Sequence, residues 1–326
     1  MSTSPLGSPV PPPRKDPGQG IGAASVAGGL SGLISARTML FLLFVLVSVF
    51  LFMEPLRMLL DYSQRTGNHE YDKYSHTLLI PFISLALVIL DRKRIFALVQ
   101  YGLGAGAFLL LVGFAMNRIG VWRLPQVGLE NSLSMRLLGL VVFWTGGFIL
   151  CYGVKAYRAG AFPLLFLLLA VPIPGALLDR VLWCVQIGST EVCSWIFALL
   201  GVPVLREGFK FALPTMSIEV AKECSGIHST LALFIVSLLA GHLFLTSVWK
   251  KVVPILLVLP IVCISNGLRI AGLTLLSAYV NPGFLYGNLH REGGMGFFLI
   301  ALLLLYVAVH FLRRGQGARG PAANIT

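Results

Sequence analysis

Three residues of the sequence together suit acyl transfer at a peptide bond: Cys224, Arg269 and His290. A thiol in the first turn of a helix is shifted toward thiolate by unpaired backbone N–H groups and the helix dipole. Cys224 stands directly before a long apolar run and is therefore placed like a nucleophile. His290 would take and return the proton, and Arg269 would stabilise the oxyanion or hold a substrate carboxylate. Such sites are defined by roles and geometry, so their order in the chain is no obstacle.

Each of these residues also has a plainer interpretation. Cys224 can be an inert packed thiol, Arg269 an anchor that extends to the membrane interface, and His290 an ordinary loop histidine. His228 is a rival base, because it follows Cys224 by four residues on the same helix face. It would lie a turn deeper, where burial hinders proton exchange with water. We therefore assign the base to His290 and keep His228 as the alternative.

The composition is that of a membrane protein. Of the 326 residues, 56% are hydrophobic and 12% charged, with a mean hydropathy of +0.85, which is far more apolar than a soluble domain. The net charge of +12 comes from short basic blocks between apolar runs, a pattern typical of the signals that set membrane topology. Nucleic acid is therefore not an expected partner. Five cysteines without a CxxC pair or a Cys/His cluster predict neither a disulfide framework nor a metal site, and the proposed chemistry requires no cofactor.

The hydropathy pattern predicts an all-α polytopic membrane protein with about eight transmembrane helices. Residues 1–36 are rich in Pro, Gly and Ser and predict a disordered cytoplasmic tail. Residues 37–314 form the predicted transmembrane catalytic domain, and residues 315–326 form a second cytoplasmic tail. An extra interfacial helix is expected at 183–201, between the fifth and sixth spans, because polar residues interrupt that run. The predicted spans are about 38–60, 77–91, 95–116, 133–152, 161–178, 226–248, 252–275 and 294–312.

The basic residues predict the orientation of the spans. The segments on one side carry 13 Lys and Arg against 2 acidic residues, and the opposite segments carry 9 against 10. The first set is therefore cytoplasmic, together with both termini. Arg269 then lies 18 residues after Lys251, or ~27 Å up the seventh span. With Cys224 and His290 at the outer ends of their spans, all three residues reach the outer third of the membrane.

An arginine at that depth needs a partner or a wet cavity. Asn266 lies three residues earlier on the same helix face, and Gly267 allows close approach of another chain segment. This turn is therefore predicted to line a polar pocket.

The residues around these three positions resemble the exosortase/archaeosortase family of polytopic membrane cysteine transpeptidases. The resemblance rests on Glu223-Cys224-Ser225-Gly226, on Asn266-Gly267-Leu268-Arg269-Ile270 and on His290-Arg291-Glu292-Gly293-Gly294. Supporting matches are Tyr74 to Pro81, where the family usually has a glycine in place of Thr77, and Val171-Pro172-Ile173-Pro174. The similarity covers roughly residues 40–312.

The resemblance implies a substrate whose carboxy-terminal sorting signal consists of a short motif, a transmembrane helix and a basic tail. It implies cleavage by Cys224, with Arg269 and His290 as the other catalytic residues. Glu223, Asn266 and His228 are our supporting candidates. The acyl-enzyme would pass to an acceptor at the cell surface, a polysaccharide or a lipid. Candidates for contacting the motif are Arg206, Glu207 and Lys210 in an outer loop. Glycines that would let a substrate helix approach are Gly102, Gly104, Gly106, Gly146 and Gly147.

These features predict an enzyme in the cytoplasmic membrane of a prokaryote, with its active site on the outer side. The alternative from a different class is a transporter or scaffold component of a surface-polysaccharide export system. In that case Arg269 would bind an anionic ligand and Cys224 would be inert.

Overall fold

The structure is a computed structural model that describes residues 36–64, 76–122, 128–221, 227–285 and 294–315. Of the two predicted tails, residues 1–35 and 316–326 lie outside this part of the chain. The described residues therefore belong almost entirely to the predicted transmembrane domain.

The chain forms eleven α-helices and three short strands within the described ranges. In chain order they are α1 (Ala36–Leu51), α2 (Met53–Gln64), α3 (Ile80–Leu90), α4 (Arg92–Ile95), α5 (Leu103–Trp122), α6 (Leu129–Ala159), α7 (Ala161–Phe166), α8 (Gly175–Leu199), β1 (Leu205–Glu207), β2 (Lys210–Ala212), β3 (Ser217–Glu219), α9 (Ile227–Phe244), α10 (Val248–Tyr279) and α11 (Gly294–Arg314). Leu167–Ala170 and Pro282–Leu285 are short 3₁₀ helices.

Six of these helices are long and apolar enough to cross a membrane: α5, α6, α8, α9, α10 and α11. Among the described residues the number rises to seven if the bent pair α1 and α2 is one span. Two further apolar helices, His76–Leu90 and Ala161–Ala170, are shorter than a usual span. The predicted class, an all-α polytopic membrane protein, is confirmed, whereas the predicted count of eight spans is not.

The predicted first span is bent by 69° between α1 and α2. Pro55 lies in the first turn of α2. A proline is tolerated there because N–H groups in the first turn of a helix have no hydrogen-bond partner within the helix. The ring of Pro55 would clash with the carbonyl of Leu51, four residues earlier, in a continuous helix. Helix α1 therefore ends at Leu51 and a new helix begins at Met53.

The fifth predicted span, residues 161–178, is also interrupted. Helix α7 passes into the 3₁₀ turn that ends at Ala170, and Val171 is extended. Pro172 and Pro174 cannot donate backbone hydrogen bonds and restrict the residues before them. The predicted interfacial helix at 183–201 is instead part of α8, which begins at Gly175 and continues for 25 residues.

Glycines bring α5 and α6 close together. A Cβ added at Gly106 would lie 2.8 Å from Cα of Leu150, and one added at Gly146 would lie 2.9 Å from the backbone nitrogen of Leu110. Gly102 and Gly147 are likewise covered, by α6 and by Phe44 of α1. Four of the five glycines expected to admit a substrate helix therefore serve contacts within the protein, and only Gly104 of that group is open.

Helices α8 and α10 lie side by side and run in the same direction. Gly188 of α8 faces Cys263 of α10, and Val192, one turn further along α8, faces Gly267. Cys193 completes the contact by donating its S–H to the carbonyl of Gly267, at 3.3 Å. Around this pair, apolar side chains of α8, α9, α10 and α11 form one buried cluster that includes Val185, Leu233, Val262 and Leu305.

The strands form a three-stranded antiparallel sheet in the order β1-β2-β3. This sheet is absent from the sequence-based expectation, which placed a loop here. Phe211 of β2 is fully buried and packs edge-on against Phe197 of α8, with ring centroids 5.4 Å apart. Ala271 of α10 belongs to the same cluster. The sheet is therefore fixed over the ends of α8 and α10.

Gly267→Ala tests the close contact between α8 and α10. The added Cβ would lie 2.5 Å from Cγ1 of Val192 and 3.1 Å from the carbonyl oxygen of Ser189. Such overpacking should lower the free energy of unfolding by about 1–3 kcal/mol. The matched control is Gly272→Ala on the same helix, where an added Cβ has nothing within 4 Å. Unfolding of both variants in detergent measures the difference, and equal stability would show that the helices are not in tight contact here.

Candidate active site

The predicted site residues fall partly inside and partly outside the described chain. Cys224 and Glu223 lie in the interval 222–226, and His290 lies in the interval 286–293, both outside the described residues. Arg269 and Asn266 lie on α10, and His228 lies in the first turn of α9. The structure therefore gives the position of Arg269. For Cys224 and His290 it gives only the positions of residues on either side of their intervals.

Arg269 lines a small cavity where α9, α10 and α11 meet. The cavity has a volume of about 20 Å³, enough for roughly one water molecule. Most of its lining is apolar and comes from Val262, Phe297, Phe298 and Ala301, and its polar groups come from Ser229, Ser265, Asn266 and Arg269. Asn266 and Arg269 on this turn of α10 both line the cavity, whereas Gly267 faces α8.

The flanks of the two undescribed intervals both reach this cavity. Ser229 comes five residues after Cys224, and Gly294 comes four residues after His290. The guanidinium carbon of Arg269 lies 3.8 Å from where a Cβ on Gly294 would stand. Arg269 thus packs against the first turn of α11, at ordinary van der Waals distance from the position of a Cβ on Gly294.

Two hydrogen bonds fix α10 at this level. The amide nitrogen of Asn266 donates to Oγ of Ser189 on α8 at 3.0 Å, and Oγ of Ser265 donates to the carbonyl of Phe297 on α11 at 2.6 Å. Asn266, Ser189 and Ser265 are all buried. Since a buried polar group without a partner is costly, these bonds define the relative height of the three helices around Arg269.

Gln186 holds the chain that leads toward Cys224. Its side-chain amide donates to the carbonyl of Val220 at 2.6 Å, and the N–H of Val220 donates to the carbonyl of Phe209 at 3.0 Å. Val220 is fully buried, and Ala221 is the last described residue before the interval that contains Cys224. Gln186 therefore anchors the start of that interval to α8.

Sequence reasoning missed this role because Gln186, Ser189 and Thr190 were treated as interruptions of an apolar run. Their spacing of three and four residues places them on one face of α8, and all three are buried. A polar face on an otherwise apolar helix was the available signal that the helix faces polar partners inside the protein.

His228 has a second histidine in its neighbourhood. His76, at the start of the short helix before α3, lies near enough to His228 for the two imidazoles to interact electrostatically. The side chain of His228 is exposed in the described bundle. The rival base is therefore next to another titratable group, a feature that the sequence did not indicate.

The three candidates for contacting a substrate motif lie in the sheet, and two of them are paired inside the protein. Nη2 of Arg206 donates to Oε1 of Glu191 at 2.6 Å, and Nζ of Lys210 lies 3.5 Å from Oε2 of Glu219. The hydrogen bond to Glu191 raises the pKa of Arg206 above its usual value. Glu207 is exposed at the β1-β2 turn, opposite Lys210.

A buried arginine, Arg136 on α6, is also absent from the sequence-based assignment. Its Nη2 donates to Oε2 of Glu54 on α2 at 2.7 Å, and its Nε donates to Oδ1 of Asn117 on α5 at 3.2 Å. A charge inside a predicted span was the sequence signal for such a cluster. Because Arg136 is neutralised by Glu54, it links three helices and is not a candidate for the reaction.

Among the described residues, no group of three His, Cys, Asp or Glu side chains is arranged to hold a metal ion. Of the described cysteines, Cys151, Cys193 and Cys263 are buried, as expected for small apolar residues, whereas Cys184 is exposed on α8.

Gln186→Leu tests the anchor before Cys224. The variant leaves the buried carbonyl of Val220 without its donor, which should cost about 1–3 kcal/mol of unfolding free energy. Loss of the anchor should also change the rate at which a thiol reagent modifies Cys224, followed by mass spectrometry of its peptide. Thr190→Val is the control, because the Thr190 hydroxyl donates only to the carbonyl of Gln186 in its own helix. Unchanged modification in Gln186→Leu would show that the anchor does not reach Cys224.

Comparison with known proteins gives one match. The family model described as transmembrane exosortase matches residues 68–307, which include Cys224, Arg269 and His290 and all of α3 to α10. No curated protein and no solved structure matches the chain. The match covers well over half of the 326 residues, so this chain belongs to the transmembrane exosortase family.

Proposed function

We propose that this membrane protein is a cysteine protease and transpeptidase, with Cys224 as nucleophile, His290 as general base and acid, and Arg269 as the group that stabilises the transition state. The observation that carries the proposal is the cavity at Arg269, because it is lined by α10 together with the two helices that follow Cys224 and His290. Family membership supports a membrane transpeptidase or protease, and the assignment of individual residues is our own.

The chain lengths support this grouping. A residue advances the chain by at most about 3.6 Å. Cys224 therefore lies within about 18 Å of Ser229, and His290 within about 14 Å of Gly294. Both Ser229 and Gly294 line the cavity with Arg269. These limits leave Cys224 and His290 each within reach of the cavity at Arg269, which is what the proposal requires.

The reaction begins with attack of the Cys224 thiolate on a peptide carbonyl of the substrate. A carbon–sulfur bond forms, and the carbonyl oxygen becomes an oxyanion that the Arg269 guanidinium stabilises. His290 delivers a proton to the leaving nitrogen as the carbon–nitrogen bond breaks, which releases the carboxy-terminal fragment as an amine. An acceptor hydroxyl, an acceptor amine or water then displaces the thiolate from the acyl-enzyme. His228, beside His76, is the alternative base.

The substrate in this proposal is an exported protein that ends in a short motif, a transmembrane helix and a basic tail. The cut falls at the outer interface of the cytoplasmic membrane of a prokaryote, and both termini of the enzyme face the cytoplasm. The support for this orientation is the excess of Lys and Arg in one set of connecting segments. Glu207 is the best candidate for contacting the motif, because Arg206 and Lys210 have carboxylate partners within the protein.

The acceptor in this proposal is a polysaccharide or a lipid at the cell surface. The competing interpretation is a transporter or scaffold for polysaccharide export, in which Arg269 binds an anionic ligand and Cys224 is inert.

Cys224→Ala tests the enzyme directly. Without the nucleophile, cleavage should fall more than about a thousandfold, and full-length substrate should accumulate in the membrane. Cys184→Ala is the matched control, because Cys184 is the exposed thiol on α8, and it should retain cleavage. Immunoblots of the substrate in cells that produce each variant measure both results. Normal processing in folded Cys224→Ala protein would exclude the proposed nucleophile and favour the transporter.

Arg269→Lys and Arg269→Ala test the role of the guanidinium. If its planar fork is needed, both variants should lower kcat by about 10²–10³-fold, since a lysine ammonium cannot reproduce two parallel hydrogen bonds. Arg180→Lys, at an exposed position on α8, controls for the change of side chain. Cleavage assays in reconstituted membranes measure kcat. Full activity of Arg269→Lys would mean that Arg269 contributes only a positive charge.

A further inference from the structure

An apolar groove lies on the surface of the bundle between α9 and α11. Its volume is about 500 Å³, much larger than the cavity at Arg269. One wall is a stripe of α9 residues spaced four apart, Val236, Ala240 and Phe244. The other wall is the face of α11 from Leu299 to Arg313.

The groove has the length of an extended acyl chain in one leaflet. Fourteen residues separate its ends along α11, which corresponds to about 21 Å of helix. Half of the hydrocarbon core of a bilayer is about 15 Å thick. Leu299, Leu303 and Tyr306 are exposed along the groove, so it opens sideways toward the surrounding lipid.

One end of the groove is cationic. Arg313 lines it together with His310, and the guanidinium lies over the ring of Phe244, 5.8 Å from the centroid. No ion pair between described residues involves Arg313. Lys250 lies at the same end, where its ammonium donates to the carbonyl of Gly315 at 2.8 Å. The local charge is therefore positive and suits an anionic group.

We propose that this groove binds an anionic glycerophospholipid, with an acyl chain between α9 and α11 and the phosphate at Arg313 and His310. A transmembrane helix about 10 Å wide and 30 Å long fills roughly 2,000 Å³, several times the volume of the groove. A basic peptide tail would also meet the charge of Arg313. Size and charge therefore both favour a lipid over a peptide helix.

The test measures lipid binding to the purified full-length protein by native mass spectrometry, with phosphatidylglycerol and phosphatidylcholine of identical acyl chains. The wild-type protein should bind phosphatidylglycerol about fivefold more tightly, the factor that one arginine contributes near an anionic headgroup. Arg313→Gln should abolish this preference. Arg314→Gln, which removes the same charge from the next residue outside the groove, should keep it. Glycerol phosphate, which lacks acyl chains, should not displace the lipid.

Ala240→Leu provides an independent variant, because it fills the groove from α9 without changing charge. It should weaken both lipids by a similar factor, while thermal unfolding without added lipid confirms that the variants are folded. Equal affinity of the wild type for the two lipids, or equal effects of Arg313→Gln and Arg314→Gln, would overturn the proposal. Displacement of phosphatidylglycerol by a synthetic 20-residue apolar helix with an arginine-rich end would instead assign the groove to a peptide.

Discussion

The close contact of α8 with α10 is the constraint on which the candidate site depends. Because Gly188 and Gly267 have no side chains, the two helices approach closely enough for Asn266 to reach Ser189. Residues two apart on a helix point about 200° away from each other. With Gly267 against α8, Arg269 must therefore face the other side of α10, where Gly294 begins α11. The packing of one face thus orients the charge on the opposite face.

Two arginines within the helix bundle, Arg136 and Arg269, have different surroundings. Arg136 on α6 donates hydrogen bonds to Glu54 on α2 and to Asn117 on α5. Glu54 neutralises its charge, and the two bonds link the three helices. Arg269 lines a cavity with Ser229, Ser265 and Asn266. The polar groups that share this cavity with the guanidinium are two hydroxyls and an amide.

The sequence was sufficient for the membrane class, because long apolar runs are strong local signals. It was insufficient for residues 161–199. Hydropathy there does not distinguish a continuous span from a short helix that ends before Pro172 and Pro174, and the polar residues of α8 acquire meaning only once α10 lies beside them. The three-residue strands could not be predicted from local sequence, because Phe211 of β2 packs on Phe197 of α8, a contact between residues far apart in the chain.

The bend after α1 affects the membrane around the protein. Helix α1 has 16 residues and so spans about 24 Å, whereas the hydrocarbon core of a bilayer is about 30 Å thick. Such hydrophobic mismatch is relieved when lipids next to a short helix compress the bilayer. Local thinning also lowers the penalty for a charged group within the membrane. The Glu54–Arg136 pair, just beyond the end of α1, would then lie closer to the headgroups than it would in an undeformed bilayer.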